Sequence, residues 1–122
     1  MNPPKLVIFM LTGPDNPRRC VTPFLVAMAA LASEWEVSVY FACDGVLLLE
    51  RGAADGVVAM EGGRPLSEFM RDTMDLGGKM YACTPAVALH HLTMADLIEG
   101  VEASGATSLL EETRGADTVL TI

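Results

Sequence analysis

Lys79-Met80-Tyr81-Ala82-Cys83-Thr84-Pro85, a little past the middle of the chain, reads as a short strand running directly into a helix. Met80 to Ala82 form the strand. Thr84 is a favoured N-cap residue, and Pro85 suits the first helical position because its missing N–H has no partner to lose there. Cys83 is therefore expected just outside a helix N-terminus. Free N–H groups and the helix dipole favour negative charge at such a place, and the thiolate is the nucleophilic form of cysteine. A buried cysteine acting as a small hydrophobe is the ordinary alternative, and both readings stand at this point.

Outward from this stretch, strands and helices alternate in both directions. Leu6 to Leu11 is an unbroken apolar run of the kind found in a central parallel strand, closed by the turn-rich loop Thr12 to Arg19. Thr22 as N-cap and Pro23 at the first position predict the next helix. From Phe24 to Ala32 that helix is apolar nearly all round, so it is expected to be sandwiched within the domain or against another subunit. Glu36 to Ala42 is the second strand. Asp44 is expected to cap a short helix from Val46 to Glu50, and Val57 to Met60 reads as a third strand. Pro65 opens a helix whose apolar stripe, Leu66, Phe69, Met70 and Met74, is a core face; Gly77-Gly78 ends it.

Beyond Cys83 the helix is expected to run from Pro85 to about His91. Thr93 and Asp96 have the spacing of a capping-box variant, which predicts a short second helix ended by Gly100. Val101 to Ala103 reads as extended. Ser104 is expected to cap a helix from about Ala106 to Arg114, with Gly115 ending it, and Asp117 to Ile122 is a final strand. The pattern predicts a single α/β domain over residues 1–122. It has three layers, with a mainly parallel five-stranded sheet and helices on both faces.

Composition agrees with a folded domain. The 122 residues are 51% hydrophobic and 20% charged, with eight methionines and few aromatics, so the core should be aliphatic. The net charge of −8 argues against nucleic acid or an anionic membrane as partner, since both need a basic footprint. The three cysteines, Cys20, Cys43 and Cys83, are odd in number and widely spaced without a C-x-x-C, which suggests neither a disulfide framework nor a zinc site. No signal peptide or membrane span is apparent, so a soluble cytoplasmic protein is expected.

In a parallel sheet of this kind, reactive groups gather at the carboxyl ends of the strands. Thr12, Asp15, Cys43, Asp44, Glu61, Cys83 and Thr84 all fall there. Strand one is not followed by the acidic pair of a phosphorylation receiver, nor by the G-x-G-x-x-G of a dinucleotide site. His90 and His91 follow Cys83 closely, but seven or eight residues of helix put them about 10 Å away. They suit the far helix end, where the dipole favours a cation, better than a Cys–His hydrolase. Adjacent histidines point to different faces, so no metal is expected.

Several stretches resemble the DsrE/DsrF-like family across nearly the whole chain: the Gly13-Pro14-Asp15 loop after strand one, Phe41-Ala42-Cys43-Asp44-Gly45-Val46, Tyr81-Ala82-Cys83, and Asp96 to Ala106. The resemblance implies a small α/β protein of bacterial or archaeal sulfur relay that forms homo-oligomers, trimers or hexamers being favoured. It implies a sulfurtransferase or sulfur carrier that holds sulfane sulfur as a persulfide on Cys83, needs no cofactor, and exchanges sulfur with a TusA-like carrier. Thr84, Thr12 and Asp44 are expected to line the substrate pocket and support the thiolate, although Asp44 would repel an anionic donor. Cys20 and Cys43 match no functional position of the family. Two other readings remain open, a non-catalytic oligomeric module binding a small molecule or nucleotide, and a thiol redox sensor.

Overall fold

A computed structural model describes residues 2–122. Five parallel strands form one sheet: β1 (Lys5–Met10), β2 (Glu36–Phe41), β3 (Lys79–Cys83), β4 (Val101–Ser104) and β5 (Thr118–Thr121). Their order is β4-β3-β2-β1-β5. Four helices, α1 (Pro17–Ala32), α2 (Leu66–Asp75), α3 (Thr84–Leu89) and α4 (Ala106–Thr113), connect them. Each of the first three crossovers steps to the adjacent strand in one direction, whereas α4 returns across the whole sheet to the far edge. With right-handed connections, this puts α1, α2 and α3 on one face and α4 alone on the other.

Side-chain alternation sorts the two faces. Leu6, Ile8, Met10, Val37, Val39, Phe41, Met80 and Ala82 are buried in one cluster with Phe24 of α1, Met70 of α2 and Val87 of α3. Phe24 stacks on Phe41 at 6.1 Å. The alternate positions Phe9, Tyr40 and Tyr81 form an aromatic row on the opposite face, where Tyr40 and Tyr81 lie 4.5 Å apart and nearly parallel. Offset stacking of this kind adds about 1 kcal/mol beyond area burial. This face is thinly covered: α4 has no buried residue, and Leu110 on it is 71% exposed. An ion pair between Lys5 and Glu112 ties α4 to β1.

Several local expectations change. The first helix begins at Pro17 after Asn16, and Pro23 lies inside it. Pro17 is itself suited to the first turn, so it pre-empts the later Thr22-Pro23 start. The outer face of α1 leaves Leu25 and Val26 exposed in the single chain. Val57 to Met60 is not a strand. Val58 makes one antiparallel bridge to Pro65, and the backbone then closes in a turn through the Gly63 N–H to Met60. The fifth strand is instead β4, which pairs along β3 from Met80↔Val101 to Cys83↔Ser104. Ser104 ends that strand and does not cap α4, whose N-cap is Gly105.

Asp44 does not cap a helix starting at Val46. Residues Cys43–Leu49 form a 3-10 helix with Ala42 at the N-cap position. The expected helix stops hold at Gly77 and Gly115, both with positive φ, whereas the helix after Thr93 already ends at Asp96 and Gly100, also at positive φ, lies in the turn before β4. Thr93 and Asp96 do form a capping box around the short turn Met94–Asp96, with the Thr93 N–H donating to Asp96 Oδ2 at 2.8 Å. Among the described residues, no helix is long and apolar enough to cross a membrane.

Candidate functional site

The carboxyl edge of the sheet collects the chemistry-bearing residues. Cys83 is the last residue of β3 and the N-cap of α3, with Thr84 and Pro85 in the helix's first turn. The helix thus starts one residue earlier than Thr84 as N-cap predicts, and no side chain caps it. Thr84 needs no extended backbone because Cys83, in β conformation at φ −67° and ψ 113°, already makes the corner. Strand alternation alone would put Cys83 on the face of Tyr81, but at the corner into α3 it is half-buried and packs against the core cluster that holds Met80 and Ala82. Its neighbour on β4 is Ser104. Cys83 is partly exposed, as a thiol that meets another molecule must be.

The aromatic face continues from this edge. Tyr40 and Tyr81, together with Thr107, Ser108, Glu111 and Glu112 of α4, line a cavity of about 400 Å³. Burial raises the phenol pKa of both tyrosines, and the carboxylate of Glu112 raises them further. Both stay neutral hydroxyls across the physiological range. The wall of this cavity is therefore apolar ring surface with hydroxyl tips, its formal charge comes from Glu111 and Glu112, and Cys83 is not among its lining residues.

The other expected pocket residues lie at different distances. Asp44 is in the turn after β2, where its carboxylate Oδ1 approaches His90 Nε2 at 3.3 Å without hydrogen-bond geometry. His90 is the C-cap of α3. It thus occupies the helix end remote from Cys83, as its spacing predicts, and bridges that end to the β2 turn. Gly13 makes this approach possible: a Cβ there would sit 2.9 Å from the Asp44 side chain and backbone. Thr12 follows β1, its N–H bonded to Ile122. β1 is two strands away from β3, a lateral distance of about 10 Å.

The three cysteines occupy distinct environments. Cys20 is fully buried in α1, and its thiol donates to the carbonyls of Gly13 and Asn16, both at 3.3 Å. Burial and the nearby charge of Asp15 push that thiol's pKa up. Cys43 is exposed in the turn after β2. Brief alkylation of the native protein should therefore modify Cys43 and Cys83 but leave Cys20 untouched until denaturant is added. Peptide mass mapping checks this, and early modification of Cys20 would contradict the packing. Among the described residues, no group of His, Cys, Asp and Glu is arranged to hold a metal ion.

Sequence reasoning missed Tyr40, Ser104 and the Asp44–His90 contact. The alternation Ser38, Tyr40 against Val39, Phe41 was a usable signal for the first. The other two depend on which strands are neighbours.

Comparisons with known proteins agree with the architecture. The crystal structure of the YchN protein from E. coli superimposes with a TM-score of 0.83 at 21% identity, covering 98% of this chain and 99% of that one. A protein of unknown function from Methanobacterium thermoautotrophicum gives 0.69 at 18% identity, covering 99% and 100%. In sequence, an uncharacterized protein of Methanopyrus kandleri is 25% identical over 94% of this chain and 91% of its own length. Another, from Methanocaldococcus jannaschii, is 27% identical over 87% of this chain, which spans only 38% of that protein. The profile of the DsrE/DsrF-like family matches residues 5–122, and the chain belongs to that family.

Proposed function

We propose that this protein carries sulfane sulfur as a persulfide on Cys83 and passes it to the thiol of a small TusA-like carrier in the cytoplasm. The observation that carries the reading is the position of Cys83, a partly exposed thiol at the carboxyl end of β3 in a chain of the DsrE/DsrF-like family. Its chemistry needs little else. A thiolate attacks the outer sulfur of a polysulfide or protein persulfide, and the partner thiol later attacks the sulfur it has acquired. Neither step needs a base as strong as a histidine dyad, which fits a cysteine with His90 at the opposite helix end. Thr84 borders the thiol directly. Thr12 and Asp44 stand farther along the edge, where they would meet the donor or the partner protein more readily than the thiol itself.

The test uses a Cys43→Ser chain, so that Cys83 is the accessible thiol. It is mixed with polysulfide, quenched within seconds by an alkylating agent and weighed intact. One added sulfur atom, about 32 Da, should appear on the alkylated protein. No gain beyond that of a Cys43→Ser, Cys83→Ser control would refute the reading.

The carrier is expected to act as a homo-oligomer. Leu25 and Val26 on the outer face of α1, and Leu110 and Val119 around the thinly covered sheet face, are apolar groups that a single chain leaves in water. Sedimentation at micromolar concentration should give a mass above that of one 13.0 kDa chain, and a clean monomer would contradict this.

A second reading, small-molecule binding without sulfur transfer, has one observation in its favour. A cavity of about 490 Å³ lies between α2 and the turns after β2, lined in part by Leu48, Arg51, Met70, Arg71 and Ile98. Cys83 is not among its lining residues. Unchanged sulfur uptake on ligand occupancy there would separate the two functions.

A further inference from the structure

We propose that Cys43 is the resolving thiol for Cys83, so that the pair releases bound sulfane sulfur as hydrosulfide when no acceptor takes it. The proposal rests on the Cys83 persulfide reading and extends it to a second residue and a second outcome.

Strand order brings the two cysteines together, although 39 residues of sequence lie between them. β2 and β3 are neighbours, paired in register from Ser38↔Lys79 to Phe41↔Ala82. One step further on, Ala42 comes opposite Cys83. Ala42 still belongs to the sheet, because its N–H donates to Met10 across β1 at 3.1 Å. Cys43 is the next residue, and it leaves the strand at once with φ +51°, a left-handed conformation uncommon outside glycine and asparagine. The turn it opens packs against both β3 and α3. Neighbouring strands lie about 4.8 Å apart and successive Cα atoms about 3.8 Å, which keeps the Cys43–Cys83 Cα separation below roughly 9 Å, with about 6 Å for a step at right angles to the pairing direction. Disulfides join Cα atoms about 4.4 to 6.8 Å apart, a span within that limit, and Cys43 is the exposed first residue of a turn whose remainder is anchored by the buried Gly45 and Val46.

Accessibility makes the pairing selective. Cys43 is exposed and Cys83 partly so, while Cys20 is buried and bonded to Gly13 and Asn16. Only one of the other two thiols can reach a persulfide on Cys83.

The step balances without a further oxidant. The Cys43 thiol gives its proton to solvent, and the thiolate attacks the inner sulfur of the persulfide, Cys83 Sγ. The Sγ–Sγ bond forms as the bond to the outer sulfur breaks, and that sulfur leaves with the electron pair as HS⁻. The sulfane sulfur is reduced and the two cysteines are oxidised to a disulfide. An external dithiol reductant then restores both thiols. A sulfur-loaded chain would in this way have two fates, relay to a partner thiol or discharge as sulfide.

The test compares the wild-type chain with Cys43→Ser after brief loading with polysulfide, removal of the donor and incubation without reductant. Wild type should release sulfide at least about tenfold faster than the variant, as expected for an intramolecular thiol. It should also yield a peptide pair linked through Cys43 and Cys83. Cys43→Ser should keep its added sulfur. Equal retention by the two proteins, with no linked peptide, overturns the role of Cys43 and leaves the Cys83 reading intact. If Cys43→Ser takes up no sulfur at all, the Cys83 reading itself falls, and this inference falls with it.

Discussion

Cys83→Ser should lower the initial rate of sulfur uptake from polysulfide at least about 100-fold, while Cys43→Ser leaves it near the wild-type value. The expectation follows from the surroundings of each thiol. A serine hydroxyl has almost the same shape but is not ionised at neutral pH and forms no persulfide. Cys20 cannot substitute, since it is fully buried, engaged with two carbonyls and shifted to higher pKa. Cys43 is exposed, but it opens only a 3-10 helix with the acidic Asp44 in its first turn, whereas Cys83 stands at the N-terminus of an α-helix with no acidic residue in its first turn. The fold itself should be indifferent to the change, because Cys83 is only partly buried and its sulfur makes no hydrogen bond among the described residues. Uptake is read by alkylation and intact mass, and folding by thermal melts. Full uptake in Cys83→Ser with loss in Cys43→Ser would assign the carrier role to the other thiol.

Gly45→Ala should destabilise the protein by about 3 kcal/mol, a fall in melting temperature of roughly 10 °C. Gly45 is buried beneath the carboxyl end of β1, and a Cβ there would lie 2.0 Å from the Met10 carbonyl oxygen. That oxygen is fixed, because it accepts the Ala42 N–H in the last rung between β1 and β2. Relief of the clash must therefore push the turn off the sheet or break the rung. Either movement carries Cys43 and Asp44 with it. Gly56→Ala is the matched control, since its new methyl group would meet nothing within 4 Å and its φ is not positive. Chemical denaturation of the two variants gives the comparison. Equal stabilities would show that the turn is not held against β1 in the way described.

Much of the architecture is visible in local pattern. The apolar runs at Leu6–Met10 and Val37–Phe41 and the strand–cysteine–helix junction at Cys83 need only near neighbours to be read. β4 carries a weaker signal, an extended stretch at Val101 to Ala103 with nothing to mark it as a member of the sheet. Val101-Glu102-Ala103-Ser104 is short and half polar, and it becomes a strand only because β3 offers it an edge. Conversely, Val57 to Met60 has the composition of a strand but no available partner beyond one bridge. The five-strand count is thus right, although one of its members differs. Pro17 and Pro23 are both plausible helix starts locally, and the chain uses the earlier one.

The site divides in the same way. The position of Cys83 is local and legible. The Tyr40–Tyr81 stack, the approach of Asp44 to His90 and the proximity of Cys43 to Cys83 all depend on β2 and β3 being neighbours, or on the packing of α3 against the β2 turn. No spacing in the sequence encodes those contacts.

The most direct test of the central claim locates the sulfur. A Cys43→Ser chain is loaded with isotopically labelled polysulfide, alkylated, digested and mapped by mass spectrometry. The account predicts the labelled sulfur on the peptide that contains Cys83 and on no other. Label on the Cys20 peptide, or an unlabelled Cys83 peptide, would contradict it.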